Sequence, residues 1–274
     1  MRQETAQEAA READSPAWRW DTARAALVPV TRLRLPHLDD LVGIERQKAE
    51  AVRNTAQFVA GRPANNALLW GARGTGKSTL VRALLGRFAP QGLRMVAVDR
   101  RGLEALPEIV ETLAERPGRW IVYCDDLAFE AHETGYLALK SVLEGGFVEL
   151  PSHVLVYATS NRRHLLPEPV ADTAGAAEIH PDEAVDARIS LADRFGLWLS
   201  FPPFDQTRYL EAVRHWLARL GAPLEPWAEI EREALRWAMA RGSRSGRTAW
   251  QFARDLAGQV EPPPRPSPAE AAER

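Results

Sequence analysis

The stretch GARGTGKST, Gly71 to Thr79, constrains this chain more than any other. It fits the pattern G-x-x-x-x-G-K-[ST], in which a glycine-rich loop leaves a strand and opens a helix. Both neighbours are present: ALLW (67–70) reads as a short buried strand, and Leu80, Val81, Leu84 and Leu85 have helical spacing. Glycines let backbone N–H groups curl around phosphate oxygens, and the helix N-terminus adds its positive dipole end. Gly71, Ala72, Arg73, Gly74, Thr75, Gly76, Lys77, Ser78 and Thr79 are therefore the expected ATP-binding residues. Lys77 can reach the β- and γ-phosphates, and the Ser78 hydroxyl can coordinate magnesium. The bland alternative is an ordinary glycine turn, and the strand and helix on either side argue against it.

A phosphate loop needs a parallel sheet to sit on, and the chain supplies one. Short apolar runs alternate with amphipathic helices: ALLW (67–70), RMVAVD (94–99), WIVYCD (120–125), HVLVYATSN (153–161) and LWLSF (197–201). Runs that are apolar on both faces suit strands covered by helices on each side. Ahead of them, Val52, Thr55 and Val59 give the segment before Gly61 helical spacing. From Asp205 onward the pattern is purely helical. Tyr209, Leu210, Val213, Trp216, Leu217 and Leu220 share one face, Gly221 is the stop, and two further helical segments follow. The expected organisation is a flexible or loosely docked arm over 1–37, an α/β core over 38–204, a helical module over 205–259 and a proline-rich disordered tail over 260–274.

Composition narrows the setting. Of 274 residues, 45% are hydrophobic and 26% charged, as in globular domains. A net charge of −2 provides no global basic field to recruit nucleic acid or an anionic membrane. No apolar run approaches the roughly 18 residues of a membrane span, and the polar start MRQETAQEAAREADS offers no signal segment. A cytoplasmic location is expected. The histidines lack metal-ligand spacing, and the single cysteine, Cys124, falls in a core strand, where a small buried apolar role suits it best.

The strand WIVYC ends in two adjacent aspartates. Asp125 is placed to hold magnesium through its hydration shell, and Asp126 to face the γ-phosphate and position the attacking water. Each could alternatively cap the turn after the strand. ATPases with this kind of loop often carry Asp-Glu here, and the shorter side chain of Asp126 sets the carboxylate back by about one C–C bond, roughly 1.5 Å. General-base reach is only about 2.6–3.2 Å, so slow turnover is expected. Glu130 is an alternative base, and Phe147 is a candidate substrate contact, although a helix start and an apolar turn explain them as well.

Taken in order, the segment Asp39 to Gly43, the phosphate loop and YCDDL resemble the AAA+ ATPases. ATSN (158–161) resembles their sensor 1 and puts Asn161 in that role. ADRFG (192–196) resembles the segment bearing the arginine finger, which falls on Arg194. SGRTAWQF (245–252) places Arg247 where sensor 2 falls. The resemblance covers about 38–258. It is narrower still to the bacterial AAA+ family of unknown function called DUF815, through LVGIERQK, CDDL, LKSVLEGG, YATSNRRHL, EIHPDEAV and SLADRFGLWL.

The resemblance implies an AAA+ P-loop core, a five-stranded parallel sheet between helices, followed by a small helical lid with Mg-ATP at their junction. It implies homo-oligomers, with Arg194 completing a neighbour's site, and slow hydrolysis that remodels or switches an unknown protein or DNA client. An alternative is an ATP-dependent, DNA-associated adaptor similar to replication initiators or helicase loaders. Asp-Asp and the cluster Arg241, Arg244 and Arg247 favour it; the near-zero charge opposes it. A small-molecule kinase would share the phosphate loop but leave the sensor and finger segments without purpose. Arg162 and Arg163 have no role derivable from the sequence.

Overall fold

A computed structural model describes residues 15–129, 134–145, 150–162, 165, 191 and 193–259. Glu130, Phe147, Arg163, the EIHPDEAV segment and the proline-rich tail lie outside the described residues. The chain divides between Pro203 and Phe204 into two compact units.

The first unit is built on a sheet of order β2-β1-β4-β5-β6-β3-β7. Its strands are β1 (Ala17–Asp21), β2 (Ala26–Pro29), β3 (Ala67–Gly71), β4 (Leu93–Val98), β5 (Arg119–Cys124), β6 (Val154–Ser160) and β7 (Leu197–Phe201). The five expected apolar runs are β3 to β7, all parallel, within one residue of the boundaries read from the sequence. Among the described residues four α-helices accompany them: α1 (Glu45–Val59), α2 (Lys77–Phe88), α3 (Leu106–Ala114) and α4 (Thr134–Glu144).

Side chains on a strand alternate between faces, and β5 shows how that alternation sorts the core. Trp120, Val122 and Cys124 join a cluster with Leu106, Ile109 and Leu113 of α3 and Leu139 and Val142 of α4. The opposite register carries Tyr157 of β6, whose hydroxyl contacts Asn54 Nδ2 (2.9 Å) and Thr55 Oγ1 (2.9 Å) on α1. The buried face of α1 is therefore Gln47, Ala51, Asn54, Thr55 and Phe58, with Val52 and Val59 only half-buried. The expected apolar stripe is turned because a buried tyrosine hydroxyl needs polar partners.

The segment expected as a loose arm differs most. Residues 17–29 form a hairpin that extends the sheet by two strands, with β1 parallel to β4 and antiparallel to β2. Its alternation is short but clear: Trp18 and Trp20 are buried and Arg19 between them is exposed. The Asp21 carboxylate closes the turn by accepting from the backbone N–H groups of Ala23 (3.1 Å) and Arg24 (3.3 Å). The Trp18 ring lies 6.1 Å from that of Trp120, with the Arg116 guanidinium 5.2 Å over Trp18. Burial of two indoles against β4 anchors a hairpin too brief to show sustained periodicity.

The second unit holds α5 (Gln206–Arg219), α6 (Trp227–Ala240) and α7 (Gly246–Gln259). Asp205 caps α5 by accepting from Arg208 N–H at 2.8 Å, and Gly221 follows the helix at φ 68°. Tyr209, Ala212, Val213 and Leu217 form the buried face of α5, and the Tyr209 hydroxyl donates to the Ala234 carbonyl (2.9 Å). No helix among the described residues is long and apolar enough to cross a membrane.

If the hairpin is integral to the sheet, Trp18→Ala will lower stability by about 3–5 kcal/mol, the usual cost of emptying a core aromatic site. Urea denaturation followed by fluorescence measures this. A loosely docked arm would leave the transition within about 0.5 kcal/mol of wild type.

Candidate functional site

The strand order brings three loop ends together. β6 lies between β3 and β5, so the residues after β6 sit between the phosphate loop and the paired aspartates. Gly71 ends β3 at φ 132°, and a Cβ there would lie 2.2 Å from the Phe201 carbonyl oxygen, so no other residue fits. The loop is tied to β7 where Ala72 N–H donates to that carbonyl at 2.8 Å. Gly76 is left-handed at φ 102°, and α2 begins at the next residue, Lys77.

Lys77 is buried, and its ammonium donates to the carbonyls of Gly71 (2.7 Å) and Ala72 (2.7 Å) and to Asn161 Oδ1 (3.1 Å). The Asn161 amide in turn donates to Asp126 Oδ1. One asparagine at the end of β6 thus joins the phosphate-loop lysine to the second aspartate. Asp126 has φ 53°, in the left-handed region that aspartate tolerates better than most residues.

Asp125 collects hydroxyls. Its Oδ1 accepts from Ser78 (2.8 Å) and from Thr159 (2.6 Å), and Thr159 Oγ1 also accepts the Asp126 N–H at 2.9 Å. Burial by itself would raise the Asp125 ionisation. It is outweighed by the surrounding hydroxyls of Thr159, Tyr123 and Ser78 and by the Arg82 charge, which hold the carboxyl below its ordinary range. Asp125 is therefore ionised at neutral pH, as a cation ligand must be. The neighbouring Cys124 thiol is pushed up to about 12 by burial and then by Asp125, in keeping with an unreactive core residue.

Lys77, Ser78, Asp125, Asp126 and Asn161 thus form one connected network. Arg194 is not part of it. Its guanidinium lies 3.4 Å from Glu144 Oε1, beside a depression of about 550 Å³ lined by Leu137, Lys140, Ser141, Glu144, Gly145 and Arg194. Lys140 also reaches Glu144, at 3.7 Å. Arg247 belongs to the second unit and is exposed in the first turn of α7; Arg241, also exposed, stacks 3.3 Å over the Trp237 ring. Arg162 is exposed after β6, and its backbone N–H donates to Ser160 Oγ at 3.0 Å.

Sequence reasoning missed Thr159 and Glu144. Thr159 stands two residues before Asn161 at the polar end of an apolar strand, a signal that was available. Glu144 gave none, because its pairing with Arg194 spans 50 positions of the chain.

Sheet order, phosphate loop and acidic strand tip together define a P-loop NTPase fold of the AAA+ type. The chain belongs to a family described as "Protein of unknown function (DUF815)", whose profile matches residues 13–260. Solved structures agree on the fold. A RuvB mutant from Thermotoga maritima is 18% identical with a TM-score of 0.54, over 81% of this chain and 65% of that one. ORC1 from Aeropyrum pernix, solved in complex with DNA, is 17% identical with a TM-score of 0.56, over 81% and 62%. The replication initiator DnaA, bound to AMPPCP and single-stranded DNA, is 15% identical with a TM-score of 0.55, over 81% and 65%. The chain spans less than two thirds of the length of each. No curated protein matches the sequence.

Thr159→Val keeps the shape of this buried side chain but leaves the Asp126 N–H unpaired. A loss of about 1–3 kcal/mol in unfolding free energy is expected. Ser78→Ala, which removes a more accessible donor, will cost less than half of that in the same denaturant titration.

Proposed function

We propose that this protein binds ATP with magnesium at the end of β3 and hydrolyses it slowly, coupling turnover to the remodelling or switching of a macromolecular partner in the cytoplasm. The observation that carries the reading is the chain from Lys77 through Asn161 to Asp126. It links a phosphate-loop cation to a carboxylate on a separate strand, as a device that reads the γ-phosphate requires. An ordinary glycine turn has no need of such a link.

The residues fit the magnesium that the fold implies. Ser78 and Asp125 present hard oxygen donors 2.8 Å apart, and magnesium prefers one or two carboxylates together with phosphate oxygens. Bound there, the ion would neutralise charge on the β- and γ-phosphates. Lys77 would exchange its loop carbonyls for phosphate oxygens, and the backbone N–H groups of 72–78 would line the same anion. Asp126 would orient the attacking water, and Asn161 would report the γ-phosphate to it. The short reach of Asp126 supports slow turnover. Arg194 is proposed to serve the site of a second copy, for its hold on Glu144 is an exposed ion pair, a contact commonly worth only about 0–1 kcal/mol.

A second reading, an ATP-dependent DNA adaptor, is favoured by exposed Arg241, Arg244 and Arg247 at the turn between α6 and α7. Retention of DNA that weakens steeply with salt would support it. Indifference to DNA would leave a protein client.

Lys77→Ala is expected to abolish ATP binding in calorimetric titration with the fold intact; unchanged affinity would remove the reading. Asp126→Asn should bind ATP and fail to turn it over. Arg194→Ala should bind normally yet lose up to about 10³-fold in rate, and wild-type activity per subunit should fall on dilution. Activity that is flat on dilution, with an unaffected Arg194 variant, would point to a self-contained site.

A further inference from the structure

Tyr123 lies two residues before Asp125 on β5, so it shares Asp125's face of the sheet rather than that of Trp120, Val122 and Cys124. It is 5% exposed, and its hydroxyl is buried. That hydroxyl stands near enough to Asp125, Ser78 and Thr159 to help lower the Asp125 ionisation, yet with none of them does it reach the distance and angle of a full hydrogen bond. Buried tyrosine hydroxyls usually have a partner, and one left unpaired costs about 1–3 kcal/mol. Phenylalanine would fill the same space without that cost. A buried hydroxyl beside the Ser78–Asp125 pair, short of a full hydrogen bond, points to a bond completed in another state of the site.

We propose that Tyr123 is a positioning residue for the magnesium site, its hydroxyl donating to the Asp125 carboxylate when a magnesium–nucleotide complex is bound. The inference rests on the nucleotide reading above. A carboxylate has about four lone-pair sites, and Ser78 and Thr159 both occupy Oδ1. Two donors on one oxygen leave the group free to swing about that oxygen. A third donor from the β5 side stops the swing and fixes where the remaining lone pairs point. Tyr123 thus acts through Asp125 and needs no contact with the nucleotide.

The test is Tyr123→Phe, which keeps the ring and removes the hydroxyl. Binding of a fluorescent ATP analogue is titrated against magnesium concentration, and again in EDTA, beside thermal unfolding of the nucleotide-free protein. The magnesium midpoint should rise about three- to tenfold, the worth of one hydrogen bond. Affinity in EDTA should stay within about twofold of wild type, and the nucleotide-free melting temperature should be unchanged or higher. In the Asp125→Asn background the same substitution should add nothing, since the two act in series. An unmoved midpoint in a variant that still binds nucleotide overturns the proposal and leaves the nucleotide reading standing. So does a full effect that persists in the Asp125→Asn background. If wild type itself shows no magnesium-dependent nucleotide binding, both fall together.

Discussion

A single hydroxyl organises the tip of the acidic strand. Thr159 Oγ1 donates to the Asp125 carboxylate and accepts the Asp126 backbone N–H, so it fixes one aspartate by its side chain and the next by its main chain. Thr159 is 1% exposed, so the hydroxyl is held from the buried side while the two aspartates it fixes reach the surface. The arrangement requires β6 to lie directly beside β5. With β6 there, Asn161 falls between Lys77 and Asp126, and this bridge joins the phosphate loop to the acidic tip beside the direct Ser78–Asp125 bond. Strand order is therefore the constraint from which the rest of the site follows.

The second aspartate is a consequence of the same geometry. Asp126 turns the chain out of β5 in a left-handed conformation, and Leu127 N–H returns at once to the Thr159 carbonyl at 2.7 Å. The short side chain is held by Asn161 at the level of the phosphate loop. A carboxylate so tethered must give up or share that bond in order to orient a water. The proposed slow turnover has two physical sources, the missing methylene and the amide that already occupies the carboxylate.

Support for the site extends far along the sheet. β4 would be an edge strand without the N-terminal hairpin, whose Trp18 and Trp20 join its Val96 and Val98 in one core cluster. The hairpin instead gives β4 a neighbour on each side and seals the core in which Trp120, Val122 and Cys124 anchor β5. That anchoring places the aspartates. On the opposite face the polar pair Asn54 and Thr55 satisfies Tyr157, so α1 is fitted to the sheet by hydrogen bonds as well as by packing.

The phosphate loop, the five parallel strands and the three terminal helices were legible because each is a local pattern. Glycine spacing, apolar runs and helical periodicity depend only on neighbours in the chain. Lys77, Ser78, Asp125, Asp126 and Asn161 could be named from the same local signals and from resemblance. The sequence alone did not determine which of them touch. That Asn161 bridges Lys77 and Asp126, and that Ser78 and Thr159 meet on one oxygen of Asp125, follows from the order in which parallel strands pair. Helical crossovers make that order independent of chain order. The hairpin at 17–29 was missed for a related reason: two short strands become stable only when their tryptophans find β4, some 75 residues away. The pairing of Arg194 with Glu144 and the burial of the Tyr123 hydroxyl beside Asp125 were likewise decided by packing, since neither residue carries a local mark of the partner it lies against.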